Sequence, residues 1–325
     1  MEKKYIFVEH FQNEKNEMET RHIYEMPEEE FIKIAPANAK FFEVYRFEEL
    51  FAMLADNFFA FNNVVTSYAD KARLQSMIGS NYFQKRMDVN LAALNFFSTL
   101  FMYRDFVKKR IKEKNILDFF QNNREFVRCL VMRNYIQHVE SFPINLSTSS
   151  NMCDIKLIST SVYFQVMASD LKEEHMSDDT RNKFHDFFAM DEKIDLYEII
   201  NQGMGEIQLI HKKIREMPLY SVEYKEYRDF ILDVKKNIAK TNPNSTAPHF
   251  YFESDDNSQT WKSIFIATDT IRFIDDNIKR YPCQYSNANN FITTAPQEFL
   301  KKCSDKIFSP AINEKLKKEA KEKSE

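Results

Sequence analysis

Residues 124–138 read REFVRCLVMRNYIQH, and this stretch has the periodicity of an α-helix. At about 100° per residue, an apolar stripe runs along one side of the wheel. It consists of Phe126, Val127, Leu130 and Val131. The helix is expected to begin near Asn115 and to end near His138, because Pro143 lies shortly beyond and disfavours its continuation. The pattern predicts an amphipathic helix packed against a core.

The second half of this helix inverts the pattern. Four polar side chains continue the stripe that is apolar upstream: Arg133, Asn134, Gln137 and His138. Burying such groups without partners costs roughly 1–3 kcal/mol each. They are therefore expected to line a cleft, to meet a partner subunit or to satisfy one another. A helix that breaks its own pattern in this way marks a candidate functional site.

The residue types of this segment suit metal-independent chemistry on a phosphate ester. Histidine can accept or donate a proton near neutral pH. Arginine can stabilise the charge that builds on a phosphate in a transition state, and asparagine can orient either group. No carboxylate belongs to the set, which makes it poorly suited to hold magnesium. RNA is the natural substrate, because its 2′-hydroxyl supplies the nucleophile.

The arrangement Arg133-Asn134-x-x-x-His138, late in a helical bundle and followed by Phe142-Pro143, resembles the HEPN domain. The resemblance implies a helical bundle that dimerises and joins two motifs in one composite cleft. It also implies a metal-independent endoribonuclease of the toxin or anti-phage type, whose product ends in a 2′,3′-cyclic phosphate. His138 would then be the general acid or base, Arg133 would stabilise the phosphorane and Asn134 would orient them. Gln137 is an auxiliary candidate from its helical position.

Two other interpretations of the segment remain open. Some members of the HEPN superfamily are inactive, so the chain could be a scaffold that only binds RNA or a protein partner, such as a neutralising antitoxin or a sensor. The motif could also be a purely structural patch, with Arg133 and His138 enclosed and hydrogen-bonded within one subunit. A near copy, Arg181-Asn182-Lys183-Phe184-His185, has its histidine one residue too early and is expected to be a solvated helix face. Each chain then holds one motif, and a composite site requires a homodimer.

Basic clusters near predicted helix ends could steer RNA toward the site. One consists of Lys108, Lys109, Arg110 and Lys112. Another consists of His211, Lys212, Lys213 and Arg215. Surface cations that complement a helix dipole are the simpler explanation of both clusters. With a net charge of −4, the chain has no bulk attraction to nucleic acid, so any contact must come from such a local patch.

Composition excludes several classes of protein. Only 3 of the 325 residues are glycine, which argues against glycine-rich phosphate loops and doubly wound nucleotide folds. The 4 cysteines form no CxxC pair and the histidines have no metal-ligand spacing, so neither metal nor cofactor is predicted. The N-terminus lacks the apolar run of a signal peptide, and no stretch is long and apolar enough for a bilayer. We therefore expect a cytoplasmic protein with reduced cysteines and no membrane partner.

The predicted fold class is mainly α, with a HEPN-like bundle between two smaller regions. Residues 1–40 are expected to form a β-hairpin followed by a short helix that opens at Pro27. Residues 41–147 are expected to form the bundle, and residues 148–325 a mostly helical accessory region with a few strands and a charged tail. Individual helices are expected from about Asn81 to Lys108, from Ile194 to Arg215 and from Gln259 to Ile278. The phenylalanine stripe from Phe41 to Phe61 is predicted to be core and dimer interface.

Overall fold

A computed structural model describes residues 4–12, 15–73, 82–139, 141–152, 158–188, 191–241, 250–255, 258–263 and 268–283. The described chain is mainly helical with a few short strands, as predicted. Its first half contains β1 (Lys4–Gln12), β2 (Met18–Pro27), α1 (Glu28–Arg73), α2 (Tyr82–Arg110), α3 (Lys114–Asn122), α4 (Arg124–His138) and β3 (Ile144–Met152). Its second half contains β4 (Ile158–Met167), α5 (Asp178–Phe188), β5 (Lys193–Asp195), α6 (Leu196–Glu216), α7 (Lys225–Thr241), β6 (Phe250–Asp255), β7 (Ser258–Ser263) and α8 (Thr268–Arg280).

The chain divides into two compact units. Unit 1 takes its described residues from 1–49 and 213–279, and unit 2 takes them from 50–212 and 280–325. The division of the sequence into regions 1–40, 41–147 and 148–325 stays a prediction.

Unit 1 contains a four-stranded sheet in the order β2-β1-β6-β7. The predicted N-terminal hairpin is present, since β1 and β2 pair antiparallel from Lys4 opposite Pro27 to Gln12 opposite Met18. β6 joins the other side of β1, and its partner β7 forms the edge. A buried ion pair lies in the helical part of the unit: Arg215 donates to both carboxylate oxygens of Glu48, at 2.9 and 2.7 Å.

Unit 2 contains α2, α3, α4, α5, the second half of α1 and most of α6. These helices surround an aromatic core. Tyr103 of α2 and Phe126 and Tyr135 of α4 are at most 1% exposed. A three-stranded antiparallel sheet, in the order β3-β4-β5, follows α4. Most of the predicted phenylalanine stripe of α1 is core, with Phe41 and Phe47 buried in unit 1 and Phe51, Phe58 and Phe61 buried in unit 2, whereas Phe42 is 45% exposed. Its role as a dimer interface stays a prediction.

Three local predictions were wrong. The helix expected from Asn115 to His138 is two helices, α3 and α4, which meet at Asn123. The short helix expected after Pro27 is the start of α1, which continues to Arg73. The helix expected from Gln259 to Ile278 is the strand β7 followed by α8.

The break at Asn123 has a local cause. Its backbone is extended (φ −71°, ψ 117°), and its side-chain oxygen accepts a hydrogen bond from the backbone nitrogen of Phe126 at 2.9 Å. Asparagine is among the best N-cap residues because its side chain replaces a missing helical acceptor. The Asn123 amide also donates to Glu206 of α6 at 2.9 Å, which ties the start of α4 to α6.

Candidate functional site

Helix α4 turns a regular stripe toward the core of unit 2. Phe126, Cys129, Met132 and Tyr135 follow one another at three-residue intervals, and each is at most 1% exposed. Arg133 and Asn134 are half-buried beside that stripe, while Gln137 and His138 are exposed. The polar side chains are therefore not buried, because Met132 and Tyr135 take over the core contacts in the second half of the helix.

This arrangement contradicts the purely structural interpretation of the motif. His138 is exposed and, within the described ranges, makes no hydrogen bond or ion pair with Arg133 or any other residue. Two cavities open beside the helix instead. The expectation that the polar segment lines a cleft is confirmed for Arg133, Asn134 and His138.

Arg133 is held by two contacts. Its Nη1 donates to Oδ1 of Asn134 at 3.0 Å, and its guanidinium carbon lies 3.8 Å from the centre of the Phe101 ring on α2. Its Nε is buried and has no hydrogen-bond partner among the described residues. Burial, together with the neighbouring charge of Arg104, lowers the pKa of Arg133 below its usual value. The guanidinium is therefore a partly desolvated cation with an unused donor.

Asn134 connects α4 to α5. Its Nδ2 donates to Oγ1 of Thr180 at 3.4 Å, while its oxygen accepts from Arg133. Thr180 Oγ1 also accepts a hydrogen bond from Ser177 at 2.9 Å. With both ends of its amide engaged, Asn134 orients Arg133 and fixes the spacing between the two helices. An orienting role toward His138 has no contact to support it, since the Asn134 amide is directed elsewhere.

His138 is the last residue of α4 and lines a cavity of about 540 Å³. Asn134 and Val139 share this wall, and the opposite wall comes from the segment that leads into α5: His175, Met176, Ser177, Asp179 and Thr180. A second histidine therefore lines the same cavity. Gln137 lines neither cavity, because its amide donates to Ser98 of α2 at 3.4 Å.

A second cavity of about 570 Å³ lies on the Arg133 side of the helix. Its cationic side chains are Arg104, Lys108, Arg133 and Lys183. Its other lining residues are mostly apolar and include Phe120, Val127 and Leu130. Asn134 and Asp179 line both cavities. The two cavities therefore lie one after the other along the same side of α4. The motif thus spans a basic cavity at Arg133 and a cavity with two histidines at His138.

The predicted basic cluster on α2 is divided by the structure. Lys108 lines the second cavity, whereas Lys109, Arg110 and Lys112 are exposed and do not.

The basic cluster near the end of α6 was wrongly expected to lie on the surface. His211 is fully buried, where it hydrogen-bonds to Tyr103 at 2.9 Å and stacks on Phe51. Arg215 is occupied by Glu48, so Lys212 and Lys213 alone are exposed cations there.

Several lining residues were missed by sequence reasoning. Arg104 and Phe101 belong to α2, and His175, Thr180 and Lys183 lie about 40 to 50 positions beyond the motif. A single sequence contains no signal for such tertiary neighbours. The near copy that contains Arg181 is mostly a solvated helix face, as predicted, with Asn182, Lys183 and His185 exposed.

Comparisons with models of protein families, with curated proteins and with solved structures found no match. The HEPN resemblance therefore rests on the residues of α4. Within the described ranges, no three histidine, cysteine, aspartate or glutamate side chains are grouped so that they could hold a metal ion. None of the helices in these ranges combines the length and the apolar character that crossing a membrane requires.

Proposed function

We propose that the chain is a metal-independent, HEPN-like endoribonuclease that acts as a homodimer in the cytoplasm, as a toxin or an anti-phage factor. One observation carries the proposal: Arg133, Asn134 and His138 share the side of α4 that faces adjoining cavities, and the cavity at Arg133 is lined by further cations. A phosphodiester backbone needs cations along its path and a proton-transfer group beside the scissile bond. Here the cations come from α2, α4 and α5, and the proton-transfer group, His138, lies at the end of α4.

The proposed reaction is attack by a 2′-hydroxyl on the adjacent phosphorus. The 2′-oxygen forms a bond to phosphorus while the bond from phosphorus to the 5′-oxygen breaks, which leaves a 2′,3′-cyclic phosphate and a 5′-hydroxyl. The 2′-hydroxyl proton passes to a base, and an acid delivers a proton to the departing 5′-oxygen. His138 performs one transfer, and the same motif in a second copy performs the other. Arg133 stabilises the phosphorane charge.

An exposed apolar stripe on α2 supports the homodimer. Phe83, Met87 and Leu91 follow at four-residue intervals and are 77%, 62% and 59% exposed. The same helix face continues to Ser98, which accepts the hydrogen bond from Gln137 of the motif. Contact between two copies along this stripe would cover apolar surface that is costly to leave in water. It would also bring the two motifs toward one interface.

A second candidate function is a scaffold that binds RNA or a protein partner without catalysis. One observation favours it: His138 receives no hydrogen bond from any described residue, so none of the described side chains orients its imidazole. A general acid or base normally needs such orientation. In the proposed enzyme, the second copy or the RNA provides it. In the scaffold, the exposed histidine only contacts a ligand.

The test is cleavage of a mixed RNA pool in EDTA by the wild type and by Arg133→Ala and His138→Ala variants. Arg124→Ala and His185→Ala are matched controls, because both residues are exposed in unit 2 and neither lines either of the two cavities beside α4. We expect the wild type and the controls to cleave, and the two motif variants to lose at least about a hundredfold in rate, the contribution of a proton-transfer group or an oxyanion contact. RNA that is retained but not cleaved by the wild type would favour the scaffold.

A further inference from the structure

The cavity beside Arg133 has two chemically distinct zones. One is apolar and consists of Phe120, Val127, Leu130 and Val131. The other is cationic and consists of Arg104, Lys108, Arg133 and Lys183. The volume of about 570 Å³ lies within the range of small-molecule sites in proteins. A ligand that fits both zones has a flat apolar part and an anionic part.

The cations of this cavity are only partly neutralised. Arg104 pairs with Asp105 at 2.7 Å and Lys183 pairs with Asp179 at 2.8 Å. Within the described ranges, Lys108 and Arg133 have no carboxylate within 4.0 Å. In the described part of the chain, these two positive charges therefore face the cavity without a carboxylate of their own, since Asp179 pairs with Lys183.

The two arginines also repel each other. The guanidinium carbons of Arg104 and Arg133 lie 4.0 and 3.8 Å from the centre of the same Phe101 ring. This proximity and the burial of Arg133 lower the pKa of its guanidinium. Its buried Nε has no acceptor. A bound phosphate would provide an acceptor for the arginine and offset the repulsion, since phosphate binds arginine through two parallel hydrogen bonds.

No simpler ligand matches both zones of the cavity. An inorganic anion would use the cations but not the apolar wall, and an apolar molecule would leave Lys108 and Arg133 unneutralised. A nucleotide uses both, because its base packs on apolar side chains and its phosphate meets the cations. The side-chain amides of Gln121 and Asn134 also line the cavity and can hydrogen-bond to the edge of a base.

We propose that this cavity is a nucleotide-binding subsite, with the phosphate at Arg133 and Lys108 and the base against Leu130 and Phe120. Resting on the proposed function, the nucleotide is the one in the RNA that adjoins the scissile phosphate. The cavity then selects which base can lie there. The phosphate held at Arg133 is then the scissile one, and His138, in the neighbouring cavity, transfers a proton at it.

The test is calorimetric titration of the wild type with each of the four ribonucleoside 5′-monophosphates, with inorganic phosphate and with the parent nucleosides. At least one monophosphate is expected to bind about tenfold or more tightly than phosphate or its own nucleoside, because only the nucleotide fills both zones. Lys108→Ala should weaken nucleotide and phosphate by about tenfold, the contribution of one charge-assisted hydrogen bond. Leu130→Ala should weaken the nucleotide and leave phosphate unchanged.

Lys114→Ala is the matched control, because Lys114 is exposed at the start of α3 and does not line the cavity. Circular dichroism checks that each variant is folded. The proposal is overturned if no monophosphate binds more tightly than phosphate, or if Lys108→Ala and Leu130→Ala bind all probes as the wild type does. The comparison with phosphate and nucleoside needs no variant, so it decides the question even if one variant fails to fold.

A trinucleotide with 2′-deoxy sugars distinguishes the source of the ligand. Tighter binding of the trinucleotide than of the monophosphate, with competition between them, identifies a nucleotide of an RNA strand. Equal or weaker binding of the trinucleotide identifies a free nucleotide and overturns the assignment to RNA. Failure of the ribonuclease proposal has a different signature, since monophosphates would then bind without any RNA being cleaved. Cleavage without monophosphate binding would refute the subsite alone.

Discussion

Replacing Gly203 by alanine should push helix α4 away from α6 in unit 2. A Cβ built at Gly203 would collide with Sγ of Cys129, while its next contacts, Cβ of Cys129 at 3.7 Å and the carbonyl oxygen of Glu125 at 3.9 Å, are ordinary. The conflict is therefore with one sulfur atom. Cys129 is fully buried, and its thiol donates to the Ile199 carbonyl at 3.4 Å, so the sulfur has little freedom to move.

The net effect follows from two opposing contributions to the free energy of unfolding. Alanine is favoured over glycine within a helix by about 1 kcal/mol. Overpacking of a filled core costs about 1–3 kcal/mol. We expect Gly203→Ala to lower the free energy of unfolding by up to about 2 kcal/mol. RNA cleavage should fall as well, because Arg133 lies one turn beyond Cys129 on the displaced helix.

A double-mutant cycle with Cys129→Ala isolates the collision. Cys129→Ala alone removes a buried sulfur and should destabilise unit 2, but in the double variant the new methyl group occupies the vacated space. The free energies of unfolding, measured by urea titration with circular dichroism, should therefore be non-additive by about 1–3 kcal/mol in favour of the double variant. Additivity within about 0.5 kcal/mol would refute the close approach of α4 and α6 at this point.

Three further predictions concern the stability and reactivity of the chain. Asn123→Ala removes the cap on Phe126 and should cost about 1 kcal/mol in urea unfolding, whereas Asn123→Asp should retain the cap. Arg215→Ala leaves the Glu48 carboxylate, 0% exposed, without its arginine and should cost about 3–5 kcal/mol; a loss under 1 kcal/mol would contradict a buried pair. Burial raises the pKa of the Cys129 thiol, so iodoacetamide should modify it, by peptide mass spectrometry, only after denaturation.

Strongly periodic segments of the fold could be predicted from the sequence. The helix expected from Ile194 to Arg215 is α6, and the one expected from Asn81 to Lys108 is α2. Each is long enough that its amphipathic pattern outweighs local ambiguity. The N-terminal hairpin was predicted from short β-prone runs around a polar stretch, and its strands pair as expected.

Other elements depend on interactions that periodicity does not record. The break at Asn123 comes from one side chain that caps α4, although the apolar pattern continues on both sides of it. The strand β7 lies where a helix was expected, because pairing with β6 decides its conformation. Residues 147–150 are small and polar, as in a linker, yet they pair with β4.

The candidate site was predictable only where it is local in sequence. The shared face of Arg133, Asn134 and His138 follows from helical spacing alone. Their neighbours do not, since Arg104 comes from α2 and His175 from the segment before α5. The polar face is not buried, because the core stripe of α4 shifts to Met132 and Tyr135. No pattern within one helix reveals how wide a cleft its neighbours leave.

Metal-independent cleavage by 2′-hydroxyl attack is tested most directly by comparing, in EDTA, one RNA with its counterpart that has a single 2′-deoxy sugar at the cleaved linkage. We expect the wild type to cut the RNA to a 2′,3′-cyclic phosphate and a 5′-hydroxyl, and to spare the substituted linkage. His138→Ala should cut neither strand. Cleavage of the 2′-deoxy linkage, or cleavage of the RNA only when magnesium is added, would contradict the mechanism assigned to Arg133 and His138.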